Sequence, residues 1–436
     1  MTMLKTFVYA WISYWLIVAL LPVESIYPST IEAFSLQLAF VGLVAIGYMT
    51  ILNLWGSRPL PSSDHFEIPA SAALIRIAIL LSLVGLAALV YDKIYVQGID
   101  YTQGLAVARQ EWRELGEERE GHASSVFSVV GYLCGSAYFV ATVLAITQTR
   151  LISPRERLWT LLVSFALVLA NSVLTGGRSS ILLFATFVVS AIIARKGLSL
   201  RRLISSRRQR QLLKALTIGA PVYVVYIFYA RADANGKSAL DYAIDFLPFL
   251  GLEAQEWYRQ TLNGSFLSSV SAMCVLALSY LTHSFAIMAA IVDAPTEDKQ
   301  IMFLEAADIL YKVGLTPQPD FDWFMSGRFP SVPGALWHEF GWSGLFFGSV
   351  SLGAACGGCT VWTTLHPNRL LPLGAYVMAG STLLLSPAFF AADSLSFPFV
   401  FGSFVMLALA GRFIHRPRYA RPPAGPASHS NNAAAV

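Results

Sequence analysis

The sequence predicts an all-α polytopic membrane protein with about ten transmembrane helices, and its composition is the first reason. Of its 436 residues, 56% are hydrophobic and 13% are charged, whereas a soluble domain carries about 25% charged residues. The mean hydropathy is +0.58. So few charges cannot cover a globule of this size with polar surface, which excludes the soluble, fibrous and disordered classes. The formal net charge of +4 is too small to indicate a nucleic-acid partner.

The second reason is the length of the apolar runs. A helix needs about 20 mainly apolar residues to cross the hydrocarbon core, and a span must be helical because lipid offers no partner for backbone polar groups. Only the four residues 175–178 separate the fifth run from the sixth, which predicts a tight hairpin. The ten runs are 6–23, 34–55, 70–91, 125–147, 158–174, 179–194, 215–230, 342–363, 370–388 and 395–413.

The third reason is the distribution of lysine and arginine, which predicts the orientation of the chain. Residues 195–214 contain eight basic residues and no acidic one, so the positive-inside rule places this loop in the cytoplasm. Counting spans outward from the loop places 18 of the 30 basic residues on the cytoplasmic side, together with both termini. Contact with a nucleic acid is the alternative explanation of this loop, but anionic lipid beside it explains the charges without one.

One transmembrane domain is therefore expected over residues 1–415, with two long segments outside the cell. Residues 92–124 carry seven acidic and four basic residues, and 105–120 has the pattern of a solvated helix. Residues 231–340 hold thirteen acidic and six basic residues, and their charge and length predict that this segment carries the function. The tail, 416–436, is rich in Pro, Ala, Ser and Asn, which predicts disorder in the cytoplasm.

One stretch of the second outer segment, 266–292, is apolar enough to cross the membrane. A single extra crossing would place the basic residues from Arg412 to Arg421 outside, so the stretch must contribute no crossing or two. Amphipathic or re-entrant helices at the outer interface satisfy this condition. Thr282 and His283 are expected to interrupt the stretch.

Arg178 stands at the tip of the predicted hairpin, in the sequence Thr-Gly-Gly-Arg-Ser-Ser. The glycines let a ligand approach the backbone closely, and the next helix start, with Ser179, offers N–H groups to an anion. A guanidinium beside them binds phosphate in a bidentate manner. A phosphate site is expected here, although an arginine that only reaches the outer headgroups fits the same pattern.

Two further arginines lie at the same predicted level. Arg231 ends the seventh run, and Arg328 lies in the Gly- and Pro-rich sequence Met-Ser-Gly-Arg-Phe-Pro. Because the surrounding segment is net acidic, a general basic surface does not explain them. They are candidates for the same anion as Arg178, or for pairing with nearby aspartates. Those aspartates are Asp233, Asp320 and Asp322.

The run 329–344 connects the second outer segment to the eighth span. Its residues His338 and Glu339 stand at the membrane border, where ionisable groups indicate function, and they are candidates for a general base or for hydrogen bonding to a substrate. Helix capping and a belt of interfacial tryptophans are the alternative. His283 is a weaker candidate, because a lone histidine in an apolar stretch is usually structural.

Other chemistry is disfavoured by the sequence. Cys356 and Cys359 have the spacing of a redox or zinc pair, but they lie within the eighth span. There the pairs Gly344/Gly348 and Gly353/Gly357 favour close helix packing instead. No histidine or carboxylate cluster has metal-binding spacing. Apart from Arg76, near the inner end of its span, no charged residue lies well inside a predicted span, which argues against a proton-driven pump.

In their order and sidedness, three features resemble the bacterial O-antigen polymerases, the Wzy-type oligosaccharide repeat-unit polymerases. They are the hairpin with Arg178, the long outer segment, and the run Trp-His-Glu-Phe-Gly-Trp-Ser-Gly that ends at Gly344 and enters a glycine-rich helix. The stretch Leu-Ser-Tyr-Leu-Thr-His that ends at His283 is also similar to the outer segment of that family. The resemblance covers about residues 160–360. The family usually has aspartate where this chain has Glu339, so the carboxylate is kept with one more methylene.

The resemblance implies a GT-C-like bundle with a long helical periplasmic segment in the bacterial inner membrane. It implies an enzyme that transfers a glycan from undecaprenyl pyrophosphate to the next lipid-linked repeat unit, without a nucleotide sugar, cofactor or metal. A chain-length regulator protein would be a partner, besides the lipid bilayer. The donor would be bound by Arg178, Ser179, Arg231, Arg328 and His283, with Glu339 or His338 as the base and Arg178 as a catalytic cation.

Three other functions stay open on the sequence. An O-antigen ligase uses the same lipid-linked donor but passes the glycan to lipid A core, and ligases also use outer arginines and a histidine. A polysaccharide or lipid transporter would need a polar path, for which these apolar spans offer little. A structural membrane partner without chemistry is the third.

Overall fold

The computed structural model is built almost entirely of helices. It describes residues 2–55, 67–118, 125–175, 179–195, 219, 222, 225–294, 300–312, 315–320, 323–325, 327–394 and 396–414. The basic loop 195–214, apart from Arg195, and the tail 416–436 therefore lie outside the described residues, as does the tip of the predicted hairpin.

Within the described ranges, seven helical stretches are long and apolar enough to cross a membrane. They are Thr2–Leu20, Thr30–Leu54, Ser71–Val96, Val126–Thr147, Pro154–Thr175, Val332–Leu365 and Ser396–Ile414. Two shorter apolar helices, Ser179–Ala194 and Leu370–Leu385, occupy the sixth and ninth predicted spans. Most of the seventh predicted span is not described, although residues 225–234 are helical. The all-α polytopic fold is confirmed, and the number of ten spans stays a prediction.

The helices are numbered in chain order. They are α1 (Thr2–Leu20), α2 (Thr30–Leu54), α3 (Ser71–Tyr91), α4 (Leu105–Glu118), α5 (Val126–Gly135), α6 (Ala137–Thr147), α7 (Pro154–Thr175), α8 (Ser179–Ala194), α9 (Ala239–Phe246), α10 (Glu256–Thr261), α11 (Phe266–Thr282), α12 (Ser284–Asp293), α13 (Leu304–Lys312), α14 (Val332–Ser343), α15 (Ser349–Leu365), α16 (Leu370–Leu385) and α17 (Ser396–Ile414). Two short strands, β1 (Val23–Ser25) and β2 (Leu252–Ala254), pair in antiparallel register.

The two ends of the bundle differ in charge. At one end Arg76 pairs with Glu156 and Arg150 with Glu67, at 3.3 and 3.9 Å, and Arg195 lies beside the last turn of α6. We call this the basic end; the positive-inside rule predicts that it faces the cytoplasm. The opposite end holds the β1–β2 ribbon and the connection between α16 and α17, and is called the outer end after its predicted side.

Helices α2 and α15 pack against each other with their backbones in direct contact. A Cβ atom built on Gly47 would lie 2.1 Å from the carbonyl oxygen of Val350, and one on Gly353 would lie 2.1 Å from that of Val44. Small residues at helix interfaces let backbones pack this closely in membranes. The packing role predicted for Gly353 is thereby explained, and Cys356, in the same helix, is a free buried thiol.

The run 329–344 is not a separate approach to the eighth span, because helix already begins at Val332. Ser331 caps α14 by accepting a hydrogen bond from the Gly334 N–H at 3.3 Å. The chain then continues through a kink at Gly341, with φ of 57°, into a π-helical turn and α15. Gly344 and Gly348 face Leu336 of α14 across this kink, so they allow the bend rather than a contact with a distant helix.

The apolar stretch 266–292 forms the helix pair α11–α12, which bends by 55° at His283, as the sequence predicted. Near its start, Tyr258 of α10 and Ser271 share a hydrogen bond of 3.0 Å; α10 directly follows β2. At its end, the Asp293 carboxylate accepts hydrogen bonds from Ser29, which precedes α2. Both ends are thus attached to the connection between α1 and α2, which favours no net crossing by this pair.

The third span is longer than predicted and carries two buried charged residues. A π-helical turn, Asp92–Val96, extends α3, and Asp92 and Lys93 are 0% and 2% exposed. Gln97 donates to Asp92 at 2.5 Å, and the Lys93 ammonium lies 4.2 Å from the centre of the Trp112 ring. The start of the segment 92–124 is therefore packed into the bundle and is not a solvated surface, whereas α4 forms where the sequence predicted a helix.

Gly353→Ala should destabilise the protein by about 1–3 kcal/mol, the usual effect of overpacking, because the new methyl group meets the α2 backbone. The matched control is Gly358→Ala in the same helix, where a Cβ meets nothing within 4 Å. Thermal unfolding of the purified variants in detergent measures the difference. Equal midpoints for the two variants would contradict this account of the α2–α15 contact.

Candidate functional site

Three interruptions in the helices meet at one place, which we call the outer junction: residues 282–284, 329–332 and 386–393. The Phe329 N–H donates to His283 Nε2 at 3.4 Å. The Val332 N–H donates to the Ser386 carbonyl at 3.0 Å, and the Ser284 hydroxyl donates to the Pro387 carbonyl at 2.5 Å. Non-helical backbone is tolerated at membrane depth only where protein or water satisfies its polar groups, and these hydrogen bonds provide that satisfaction.

Helix α1 joins the three segments. The Tyr14 hydroxyl donates to the Thr282 carbonyl at 3.0 Å and lies 2.7 Å from Ser284 Oγ. Trp11 Nε1 donates to Ser386 Oγ at 3.1 Å. Sequence reasoning missed both residues, since their only signal was two polar-tipped aromatic side chains on one face of an apolar helix, a pattern that most often indicates core packing.

His283 lies at the bend between α11 and α12 and is 3% exposed. Its Nδ1 is 2.7 Å from the Tyr280 carbonyl, which can only accept, so Nδ1 carries the proton. Nε2 then accepts from the Phe329 N–H, and the ring is the neutral Nδ1–H tautomer. The histidine therefore attaches the loop that carries Arg328 to the broken helix.

Arg328 is half-buried next to this attachment. Its Nε donates to the Phe249 carbonyl, and its guanidinium carbon lies 4.5 Å from the centre of the Phe249 ring. Nη1 lies 3.2 Å from the Met325 sulfur, which Tyr27 also contacts at 3.7 Å. Burial lowers the pKa of Arg328, but a guanidinium stays protonated in proteins, so a fixed positive charge stands one residue from the His283 contact.

Glu339 holds a neighbouring loop. Its Oε1 accepts hydrogen bonds from the backbone N–H groups of Ile301, at 2.6 Å, and Met302. The next N–H, that of Phe303, donates to Asp393 at 2.5 Å, and Phe303 has a positive φ of 60°. Two carboxylates from separate elements thus hold three consecutive N–H groups, an interaction that nothing in the sequence indicated beyond the acidic residues themselves.

His338 is 7% exposed and lies beside two aromatic rings, with centroid distances of 5.6 Å to Trp323 and 6.2 Å to Phe324. Its ring therefore lies against residues 323–324. The histidine and Glu339 are neighbours in α14, but Glu339 contacts the 301–303 loop and His338 contacts the aromatic pair.

Only part of the hairpin that carries Arg178 lies within the described residues. Helix α7 ends at Thr175 and α8 begins at Ser179, as predicted, whereas Arg178 and the side chain of Ser179 lie outside the described residues. Ser180, buried at the start of α8, lies 3.4 Å from Ser396 Oγ, three residues after Asp393. The start of α8 therefore lies near the Asp393–Phe303 contact at the outer end.

Arg231 lies in the helical residues 225–234 and is half-buried. One turn earlier, Phe228 packs edge-to-face on Tyr280 at 5.8 Å, and Tyr280 lies 5.4 Å from the His283 ring. The helix of Arg231 thus reaches the bend, although among the described residues no hydrogen bond joins the Arg231 side chain to His283 or Arg328.

The structure brings some of the predicted site residues together and leaves others apart. His283 and Arg328 come together through Phe329, whereas Glu339 and His338 lie on an adjoining helix, and the binding and catalytic roles of all of them stay predictions. Among the described residues, no group of three or more His, Cys, Asp or Glu side chains is arranged to hold a metal ion. No protein-family model, curated protein or solved structure matches this chain.

Tyr14→Phe should loosen the bend at His283, because the Thr282 carbonyl loses the hydroxyl that satisfies it. Leaving one buried polar group unsatisfied costs about 1–3 kcal/mol. We expect a lower thermal unfolding midpoint and faster amide hydrogen exchange at the start of α12. Tyr9→Phe is the control, since Tyr9 is on the same helix and 66% exposed. Unchanged exchange in Tyr14→Phe would show that α1 does not hold the bend.

Proposed function

We propose that the protein is a membrane glycosyltransferase with a GT-C-like bundle that polymerises lipid-linked oligosaccharides. Its donor and acceptor are repeat units on undecaprenyl pyrophosphate, and its product is O-antigen or a related surface polysaccharide. The reaction takes place on the periplasmic side of the bacterial inner membrane, and both termini of the chain are cytoplasmic.

The observation that carries the proposal is the meeting of His283 and Arg328 at the outer junction. The two residues are 45 positions apart, yet the Phe329 N–H bonded to His283 belongs to the neighbour of Arg328. A positive charge is thereby held at the end of the bundle opposite the basic end. A diphosphate leaving group needs positive charge where negative charge develops, and preorganised donors are effective there.

One guanidinium nitrogen of Arg328 is available to bind a phosphate. Nε and Nη1 contact Phe249 and Met325, while Nη2 makes no hydrogen bond to any residue that the structure describes. We assign Nη2 to a phosphate oxygen of the donor. Arg178 at the hairpin tip and Arg231 on the helix beside Tyr280 supply the further cations for the diphosphate.

The reaction needs a base for the acceptor sugar. The acceptor hydroxyl oxygen attacks the anomeric carbon of the donor, the bond to the pyrophosphate oxygen breaks, and undecaprenyl pyrophosphate leaves with the electron pair. The hydroxyl proton passes to Glu339 or His338. Because Oε1 of Glu339 accepts from Ile301 and Met302, its second oxygen, Oε2, is the atom assigned to the proton.

The same donor chemistry would serve an O-antigen ligase, and a deletion strain distinguishes the two. Loss of a polymerase leaves lipopolysaccharide with a single repeat unit, whereas loss of a ligase leaves lipid A core without any repeat. Purified protein that forms polymer from lipid-linked repeat units in detergent would exclude pure transport, because detergent solution has no second compartment.

Arg178→Ala and Arg328→Ala should each reduce polymerisation on the order of a hundredfold, the usual effect of removing one preorganised donor to the transition state. The control is Arg259→Ala, an arginine of the same outer segment that pairs with Glu253 at 3.6 Å. The glycan ladder of a complemented deletion strain, at equal protein level by immunoblot, measures the effect. A full-length ladder from either site variant would remove that arginine from the site.

The substitution Glu339→Gln distinguishes the role of Glu339 as a base from its role in holding the 301–303 loop. Glutamine keeps a carbonyl oxygen that accepts from Ile301 and Met302 but cannot take a proton, so the fold should survive while only single repeat units form. Glu339→Ala loses both properties and should also unfold at a lower temperature. If Glu339→Gln gives chains of normal length, Glu339 is an anchor only and the base is elsewhere.

A further inference from the structure

At the basic end of the bundle, one arginine is buried without a carboxylate. Arg157, in the first turn of α7, is 8% exposed. Among the residues that the structure describes, none forms a hydrogen bond or ion pair with its guanidinium. Its nitrogen atoms are not among the fully covered atoms that lack a partner, so an anion from outside the chain can reach the guanidinium, and a largely covered charge without a carboxylate favours one.

The side chain lies on the packed face of α7. Ser164, on the same face, donates to the Tyr138 carbonyl of α6 at 3.5 Å. Because α6 and α7 are antiparallel neighbours, Arg157, about 10 Å toward the start of α7, is level with the last turn of α6. There Arg195 Nη1 donates to the Ile146 carbonyl at 3.1 Å. A second guanidinium thus stands at the same level.

Protein carboxylates are too few to neutralise this end. The segments predicted to face the cytoplasm contain three acidic residues, Asp64, Glu67 and Glu156. Glu67 pairs with Arg150 and Glu156 with Arg76, while Asp64 lies outside the described residues. The basic loop and tail beyond Arg195 and Ile414 add no acidic residue before 219 or after 414.

We infer that Arg157 binds the phosphate of an anionic phospholipid headgroup, at the start of α7. The positive end of a 22-residue helix and a fork-shaped guanidinium both favour a phosphate oxygen. The α7 start marks the membrane border on the side that the charge distribution places in the cytoplasm, and the cytoplasmic leaflet supplies anionic lipid at that depth. The site is separate from the outer junction, and sugar transfer plays no part in the inference.

The matched comparison is between Arg157 and Arg155. Both are in the first turn of α7 and carry the same charge, but Arg155 is exposed. General attraction of a basic surface to anionic lipid would use both residues alike. A specific headgroup site at the start of α7 would depend on Arg157 and not on Arg155.

The experiment titrates detergent-solubilised full-length protein with phosphatidylglycerol and counts bound lipid by native mass spectrometry. Wild type and Arg155→Gln should bind one tightly held phosphatidylglycerol, and Arg157→Gln should bind it about tenfold more weakly, as for the loss of one charge-assisted hydrogen bond. Phosphatidylcholine and inorganic phosphate, at equal concentration, are the other probes. Both should bind the wild type more weakly than phosphatidylglycerol.

Each remaining outcome overturns the inference. Equal weakening in Arg155→Gln and Arg157→Gln would show a diffuse basic surface, and unchanged binding in Arg157→Gln would remove Arg157. Equal binding of inorganic phosphate would show a free-anion site and not a lipid site. If Arg157→Gln does not fold, Arg157→Lys and Arg155→Lys replace the pair: lysine keeps the charge but loses the fork, so only Arg157→Lys should weaken phosphatidylglycerol binding.

Discussion

Every backbone polar group inside an apolar bundle needs a hydrogen-bond partner, and this requirement governs the architecture of the outer end. Uninterrupted helices satisfy it by themselves, and most spans here do so. The segments at the outer junction cannot do so, because all three lose their helical hydrogen bonds at one level. The chain compensates with side chains from α1 and with bonds among the three segments, so the interruptions support one another. The backbone can therefore be irregular there without exposing unpaired N–H or carbonyl groups to lipid.

This constraint explains why the candidate site lies where it does. His283 uses both ring nitrogens on backbone groups, one in α11 and one in the loop that precedes α14. Glu339 and Asp393 do the same for the 301–303 loop. Residues that look reactive in the sequence are therefore also the residues that hold loops in place. At this end of the bundle, the same side chains hold the loops in place and carry the candidate reactive groups.

The two ends of the bundle handle charge in opposite ways. At the outer end, Arg328 is held by a carbonyl, a sulfur and a ring, and the loops around it are net acidic. At the basic end, positive charge exceeds the available carboxylates, and Arg157 is buried without one. The first arrangement suits a ligand that arrives and leaves with its negative charge. The second suits a permanent anion such as a lipid headgroup.

The membrane class, the position of nine apolar helices, the break between α7 and α8 and the interruption at His283 were all predictable from the amino-acid sequence, because hydrophobic length and helix-breaking residues are local properties. The sequence also singled out His283 and Arg328 as chemistry-bearing residues. Three contacts became evident from the packing of the helices alone: His283 meets Arg328 through Phe329, Glu339 holds Ile301 and Met302, and Trp11 and Tyr14 join the breaks. These contacts link positions up to 375 residues apart. The burial of Lys93 and Arg157 was likewise beyond sequence reasoning, since a charge at the end of an apolar run predicts a solvated end until a neighbouring helix is known to cover it.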